Sequence, residues 1–109
     1  MRVAAVISDL MFYSRIESAA TAHGAELTRV DSPLQVPRDT ELILVDWSAN
    51  QPDWAADLAA CRESGSRVIL FGPHTDLDAH AAARRAGLGP MMARSRFVQR
   101  LGDLLRGSV

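Results

Sequence analysis

Residues able to do chemistry stand where short apolar runs end. Ser8 and Asp9 follow Arg2–Ile7, Asp46 and Trp47 close Glu41–Trp47, Gly72-Pro73-His74 follow Arg67–Phe71, and Arg94 follows Met91–Ala93. If these runs are parallel strands, the residues after them share one edge of a sheet, where open α/β proteins place their ligands. An arginine at the same edge offers Asp46 a planar fork suited to bidentate pairing, which would occupy the acid. Asp9 suits the N-cap of a following helix, and Asp46 could be satisfied by loop amides together with Arg94.

Other candidates have simpler roles. His74, Asp76 and Asp78 cluster as a metal site might, but Thr75-Asp-Leu-Asp78 reads as a capping box at a helix start. His23 and His80 fall on helix surfaces. Cys61 belongs to the apolar face of its helix as an inert core thiol. Trp47, next to Asp46, is expected to be partly exposed and to serve as a contact or a fluorescent reporter. There is no glycine-rich phosphate loop, zinc-ligand spacing or arguable Ser–His–Asp arrangement, so no conventional enzyme is expected.

The elements that must position these residues follow from apolar periodicity. Arg2–Ile7 is a near-continuous apolar run, as in a strand covered on both faces. Leu10 to His23 is helical, with Phe12, Ile16, Ala19 and His23 inward and Gly24 as the stop. Glu26–Val30 is polar enough for an edge strand. Between Asp31 and Thr40, Ser32-Pro33 can open one helical turn that Pro37 soon ends. Glu41–Trp47 is the most emphatic strand. Asp53 caps a helix to about Ser64 carrying Trp54, Leu58 and Cys61 inward, with Gly65 beyond. Arg67–Phe71 is the fourth strand. The helix opening at Thr75 has only Ala79, Ala83 and Ala86 inside and closes at Gly87. Met91–Ala93 is a brief fifth strand, and Ser95 caps a last helix striped by Phe97, Val98, Leu101, Leu104 and Leu105. Right-handed crossovers through this order favour a three-layer α-β-α sandwich around a parallel sheet.

Composition sets the outer bounds. The 109 residues, 48% hydrophobic and 23% charged, suit one domain over 1–109 with one core. No apolar run approaches the roughly 20 residues of a membrane span. The N-terminal apolar stretch lacks the length of a secretion signal and reads as the first strand. One cysteine excludes an intrachain disulfide, and a reducing cytoplasm is the expected compartment. All twelve basic residues are arginine. Residues 1–80 carry six of them against twelve acids, whereas 81–109 carry six against Asp103 alone. Such polarity can steer a charged partner, or simply place cations at helix ends and solvated faces. A net charge of −1 and a pI near 6.3 speak against nucleic-acid binding.

With Val45-Asp46 ending the third strand, Ala86-Gly87 closing a helix, and Arg94 at its spacing beyond, the chain resembles the receiver domain of bacterial response regulators. The resemblance implies a flavodoxin-like fold with strand order 2-1-3-4-5, here with a shortened or missing second helix. It implies a phosphoacceptor at Asp46, the second of two Mg²⁺-binding acids at Asp9, and a switch aromatic at the place of Met91. Ser8 stands where the first acid belongs, Gly72 where a Thr or Ser belongs, and Arg94 where a lysine belongs. Ser8 removes a charge from the metal site, Gly72 removes a hydroxyl, and Arg94 competes for Asp46.

The expectation is a stand-alone, degenerate receiver-like domain without a cofactor, acting by protein–protein contact. Its site is lined by Ser8, Asp9, Asp46, Trp47, Gly72 and Arg94, with Asp9 and Asp46 the residual Mg²⁺ candidates. Its contact face is built on Arg84, Arg85, Met91, Arg96 and Arg100, suited to an acidic protein partner or a second copy. Two alternatives stay open: a true phosphoacceptor at Asp46, and a flavodoxin-like module binding a nucleotide or other anion around Ser8, Ser48 and Gly72.

Overall fold

A computed structural model describes residues 1–107. Five strands, β1 (Arg2–Val6), β2 (Glu26–Val30), β3 (Leu42–Asp46), β4 (Arg67–Gly72) and β5 (Met92–Ala93), form one sheet in the order β2-β1-β3-β4-β5. Every pairing is parallel. The helices are α1 (Leu10–Ala22), α2 (Trp54–Glu63), α3 (Leu77–Arg85) and α4 (Arg94–Leu105). The expected strand order and three-layer sandwich are therefore what the chain forms. Among the described residues no helix is long and apolar enough to cross a membrane.

Side-chain alternation along the strands divides the core into two halves. On one face Val3, Ala5, Leu42 and Leu44 meet Phe12, Ile16 and Ala20 of α1 and Phe97, Leu101, Leu104 and Leu105 of α4. On the other, Val6, Ile43, Val45 and Leu70 meet Trp54 and Leu58 of α2 and Ala79 and Ala83 of α3. Both halves share β3, which is buried from end to end. At about 1.5–3 kcal/mol for each buried Val, Leu or Ile, this strand is the most heavily stabilised in the sheet. β2 buries only Val30 and occupies an edge, as its polarity requires. The crossover from β2 to β3 holds a single 3-10 turn, Pro33–Gln35. Pro33 suits the first position of that turn because the missing N–H would have no partner there.

Several local expectations are corrected. In α1 the buried positions are Phe12, Ile16 and Ala20, with Ala19 half-buried and His23 exposed. A straight helix keeps one stripe at steps of four over this short length, and His23 is already the C-cap. α3 starts at Leu77, not Thr75, because the Asp76 carboxylate accepts the N–H of Ala79 at 3.0 Å. α4 starts at Arg94 after Ala93, so Ser95 lies within the helix and caps nothing. Asp53 holds the N-cap position of α2 without making a side-chain bond, its backbone being already helical. β5 begins at Met92, and Met91 is buried before it.

Candidate functional site

The parallel register brings the strand ends together. Val6 pairs with Val45, Asp46 with Phe71, and Gly72 with Ala93. Ser8 and Asp9, Asp46, Gly72 and Arg94 thus lie along one edge, as their sequence positions implied.

Asp9 caps α1. Its Oδ1 accepts the N–H groups of Met11 and Phe12, each at 3.1 Å. This satisfies two of the four amides that a helix start leaves open. Ser8 beside it is exposed.

Asp46 is one of only two buried polar residues among those described, the other being Thr40. It ends β3 and caps a 3-10 turn over Trp47–Ala49. Its Oδ1 accepts the Ser48 hydroxyl at 2.6 Å and the Ser48 N–H at 3.2 Å. Its Oδ2 faces Arg94 Nη2 at 3.6 Å. The pair is real but looser than the bidentate contact expected from the arginine fork, because a charge-assisted hydrogen bond would close to about 2.7–2.9 Å. A second attraction holds Arg94 back: its guanidinium lies over the Phe12 ring, 4.8 Å from the centroid. Phe12 in turn packs on Phe71, which stacks on Phe97 with centroids 4.2 Å apart. Arg94 therefore spans Asp46 on β3 and the aromatic group under α1, and its Nε is buried without a partner.

Gly72 closes β4 against Met91. A Cβ built on Gly72 would meet Met91 Sδ at 2.8 Å and Cε at 3.2 Å. The thioether thus fills the space where a side chain at 72 would project. Met91 is only 4% exposed, so it belongs to the core and not to the contact face where it was expected. It packs against Gly72, which offers no side chain of its own.

Trp47 is also corrected: it is 2% exposed, not partly open. Its indole N–H donates to the Ala79 carbonyl in α3 at 3.0 Å. A helix lined only by alanines leaves a gap above the sheet, and the indole fills it. The residue after Asp46 is thereby bonded to α3. Arg84 and Arg85 at the end of α3, and Arg96 and Arg100 on α4, are exposed.

The weaker candidates resolve simply. His74 is exposed, and its carbonyl contacts the ring of half-buried His80 at 3.2 Å. Among the described residues no three His, Cys, Asp or Glu side chains gather as a metal-binding group. Cys61 is half-buried; burial pushes its thiol pKa up, and the Asp57 carboxylate pushes the same way. The sequence reading missed two contacts. Phe12 was expected only as a core residue, and nothing local reveals Arg94 above its ring. The Ser48 bond had a local signal that was not used, since an aspartate side chain commonly accepts the backbone N–H two residues on.

No family model and no curated protein sequence matches the chain. Solved structures do. A response regulator receiver domain protein from Clostridium thermocellum is 15% identical with a TM-score of 0.68, over 97% of this chain and 91% of that one. A response regulator from Thermotoga maritima is 14% identical with a TM-score of 0.67, over 98% of each chain. The receiver domain of the Francisella response regulator 1452 is 14% identical with a TM-score of 0.64, over 97% and 96%. The fold is therefore that of receiver domains, over nearly the whole length.

Proposed function

We propose that this chain is a degenerate receiver-like signalling module that acts by protein–protein contact, without efficient Mg²⁺-dependent phosphorylation of Asp46. The observation that carries this reading is the engagement of the Asp46 carboxylate. One oxygen accepts two hydrogen bonds from Ser48, and the other faces Arg94. A phosphoacceptor must present a free oxygen in line with the donor, beside a cation that bridges it to the phosphoryl group. Mg²⁺ demands near-octahedral oxygen ligation. Ser8 brings no charge to it, and Asp9 is held by two amides of α1. The residues present do not fit that ion. The Gly72–Met91 contact adds to this, since a hydroxyl side chain at 72 would need space that the thioether occupies.

Contact then falls to the surface. Arg84 and Arg85 on α3 and Arg96 and Arg100 on α4 are exposed, and no ion pair engages them among the described residues. They form a basic face suited to an acidic protein partner in the cytoplasm, with Met91 buried beneath and not part of it. Trp47 bonds to Ala79, so a change at the Asp46 edge has a direct route to α3. The module on this reading is not an enzyme and carries no cofactor.

The test is incubation with acetyl phosphate and Mg²⁺, followed by intact-mass measurement and peptide mapping. The expected result is an unmodified chain. Addition of one phosphoryl group at Asp46, lost in Asp46→Asn, would return the phosphoacceptor reading to first place.

A further inference from the structure

The crossover between β2 and β3 leaves a gap in the helical layer. Its single 3-10 turn ends at Gln35, with α2 packed beside it. Between them lies an open groove of about 610 Å³. Leu34, Val36 and Pro37 form one wall, and Cys61 on α2 belongs to the other. Leu34 stands at the lip with 78% of its surface exposed, among the largest apolar exposures in the chain. A leucine so exposed loses the roughly 1.5–3 kcal/mol that burial would return.

The groove also carries two opposite charges. Arg38 lies on the turn side and Asp57 on α2. Neither has an ion-pair partner among the described residues. A single patch therefore holds an apolar projection, a slot of mixed lining that includes Ser64 and Ser66, one cation and one anion. That set is self-complementary. A two-fold axis beside the groove can set Leu34 of each copy against the slot of the other and Arg38 against Asp57, because in an isologous contact residue i meets j and j meets i.

We propose that this groove is a homodimer interface in which Leu34 of each copy enters the groove of the other. Arg38 of one copy pairs with Asp57 of its partner, and the reverse pair forms by symmetry. The interface lies across α2 from the basic face on α3 and α4, so it leaves that face free. It does not depend on the state of Asp46, and its failure would leave the degenerate-receiver reading intact. One anchor per copy in a shallow groove makes the dimer weak and reversible.

Sedimentation velocity on the full chain, from about ten micromolar to about one millimolar, reads this directly. The expected result is a monomer–dimer equilibrium that Leu34→Ser abolishes, with circular dichroism unchanged. Arg38→Glu and Asp57→Arg, each acting twice through the symmetry, should each weaken association by about tenfold or more. The double exchange Arg38→Glu with Asp57→Arg should restore it, which no merely structural role would produce. Alkylation of Cys61 should slow as protein concentration rises, and not do so in Leu34→Ser. A chain that stays monomeric throughout would overturn the proposal and leave the groove to a different partner. Association indifferent to Leu34→Ser, or a double exchange no better than either single change, would overturn it equally.

Discussion

Arg94 is the residue whose energetics separate a fixed structural edge from an open one, and a double-mutant cycle with Asp46 measures it. Asp46→Asn keeps an oxygen to accept from Ser48 while removing the charge. Arg94→Met keeps apolar contact with Phe12 while removing the guanidinium. At 3.6 Å the bare Coulomb attraction is about 1 kcal/mol in bulk water and about 5 kcal/mol at an effective dielectric of about 20. The Asp46 side chain is 10% exposed and that of Arg94 35%, so solvent screens the pair from the arginine side. Asp46 has also lost most of its hydration, which offsets part of the attraction. The coupling should therefore fall between exposed and buried pairs, at about 0.5–1.5 kcal/mol. With a urea slope of about 2 kcal/mol per molar, that is a midpoint shift of about 0.5 M. Urea unfolding followed by the fluorescence of buried Trp47 and Trp54 is the assay. The coupling should shrink at about 1 M salt, where screening reaches about 3 Å. A coupling of zero at low salt would refute the argument that Arg94 holds Asp46. A coupling above about 3 kcal/mol would refute the claim that the pair is loose.

The Gly72–Met91 contact predicts that Gly72→Ala costs up to about 1 kcal/mol, since its Cβ would lie 2.8 Å from the sulfur and the flexible end of Met91 must shift within the core. In a Met91→Ala background the same change should be neutral or stabilising, and equal costs in both backgrounds would sink the argument. Trp47→Phe removes the bond to Ala79 and should cost about 1–2 kcal/mol. Hydrogen exchange should then quicken in α3 before β3, which is fully buried. Cys61 favours its neutral thiol in the fold through burial and the nearby Asp57. Its contribution to stability is thus present below the ordinary thiol pKa and lost as pH rises through the raised one. Alkylation of the folded chain should need a higher pH than alkylation in urea, and coincident pH profiles would contradict this.

How much of this was legible beforehand depended on the range of the interactions involved. The continuous apolar run of β3, the alternating helical stripes and the glycine stops are local signals, and they determined the element order and the α/β class. Parallel strands joined by right-handed crossovers placed Asp9, Asp46, Gly72 and Arg94 on a shared edge, whereas the strand order came from the resemblance to receiver domains. Pro33 and Pro37 announced the shortened crossover for the same local reason. Cap residues were less secure. Asp76 took the cap expected of Thr75, because neighbouring residues compete for one amide and only the built helix decides. Long-range fits were invisible. Whether Trp47 lay open depended on α3, 32 residues away, presenting alanines that left room for an indole. Met91 was buried because Gly72 on the paired strand had no side chain to exclude it. Arg94 met Asp46 loosely because Phe12, from a third element, offered its ring face to the same guanidinium. Side-chain type and spacing are properties of a segment, whereas burial and charge balance belong to surfaces that several segments build together.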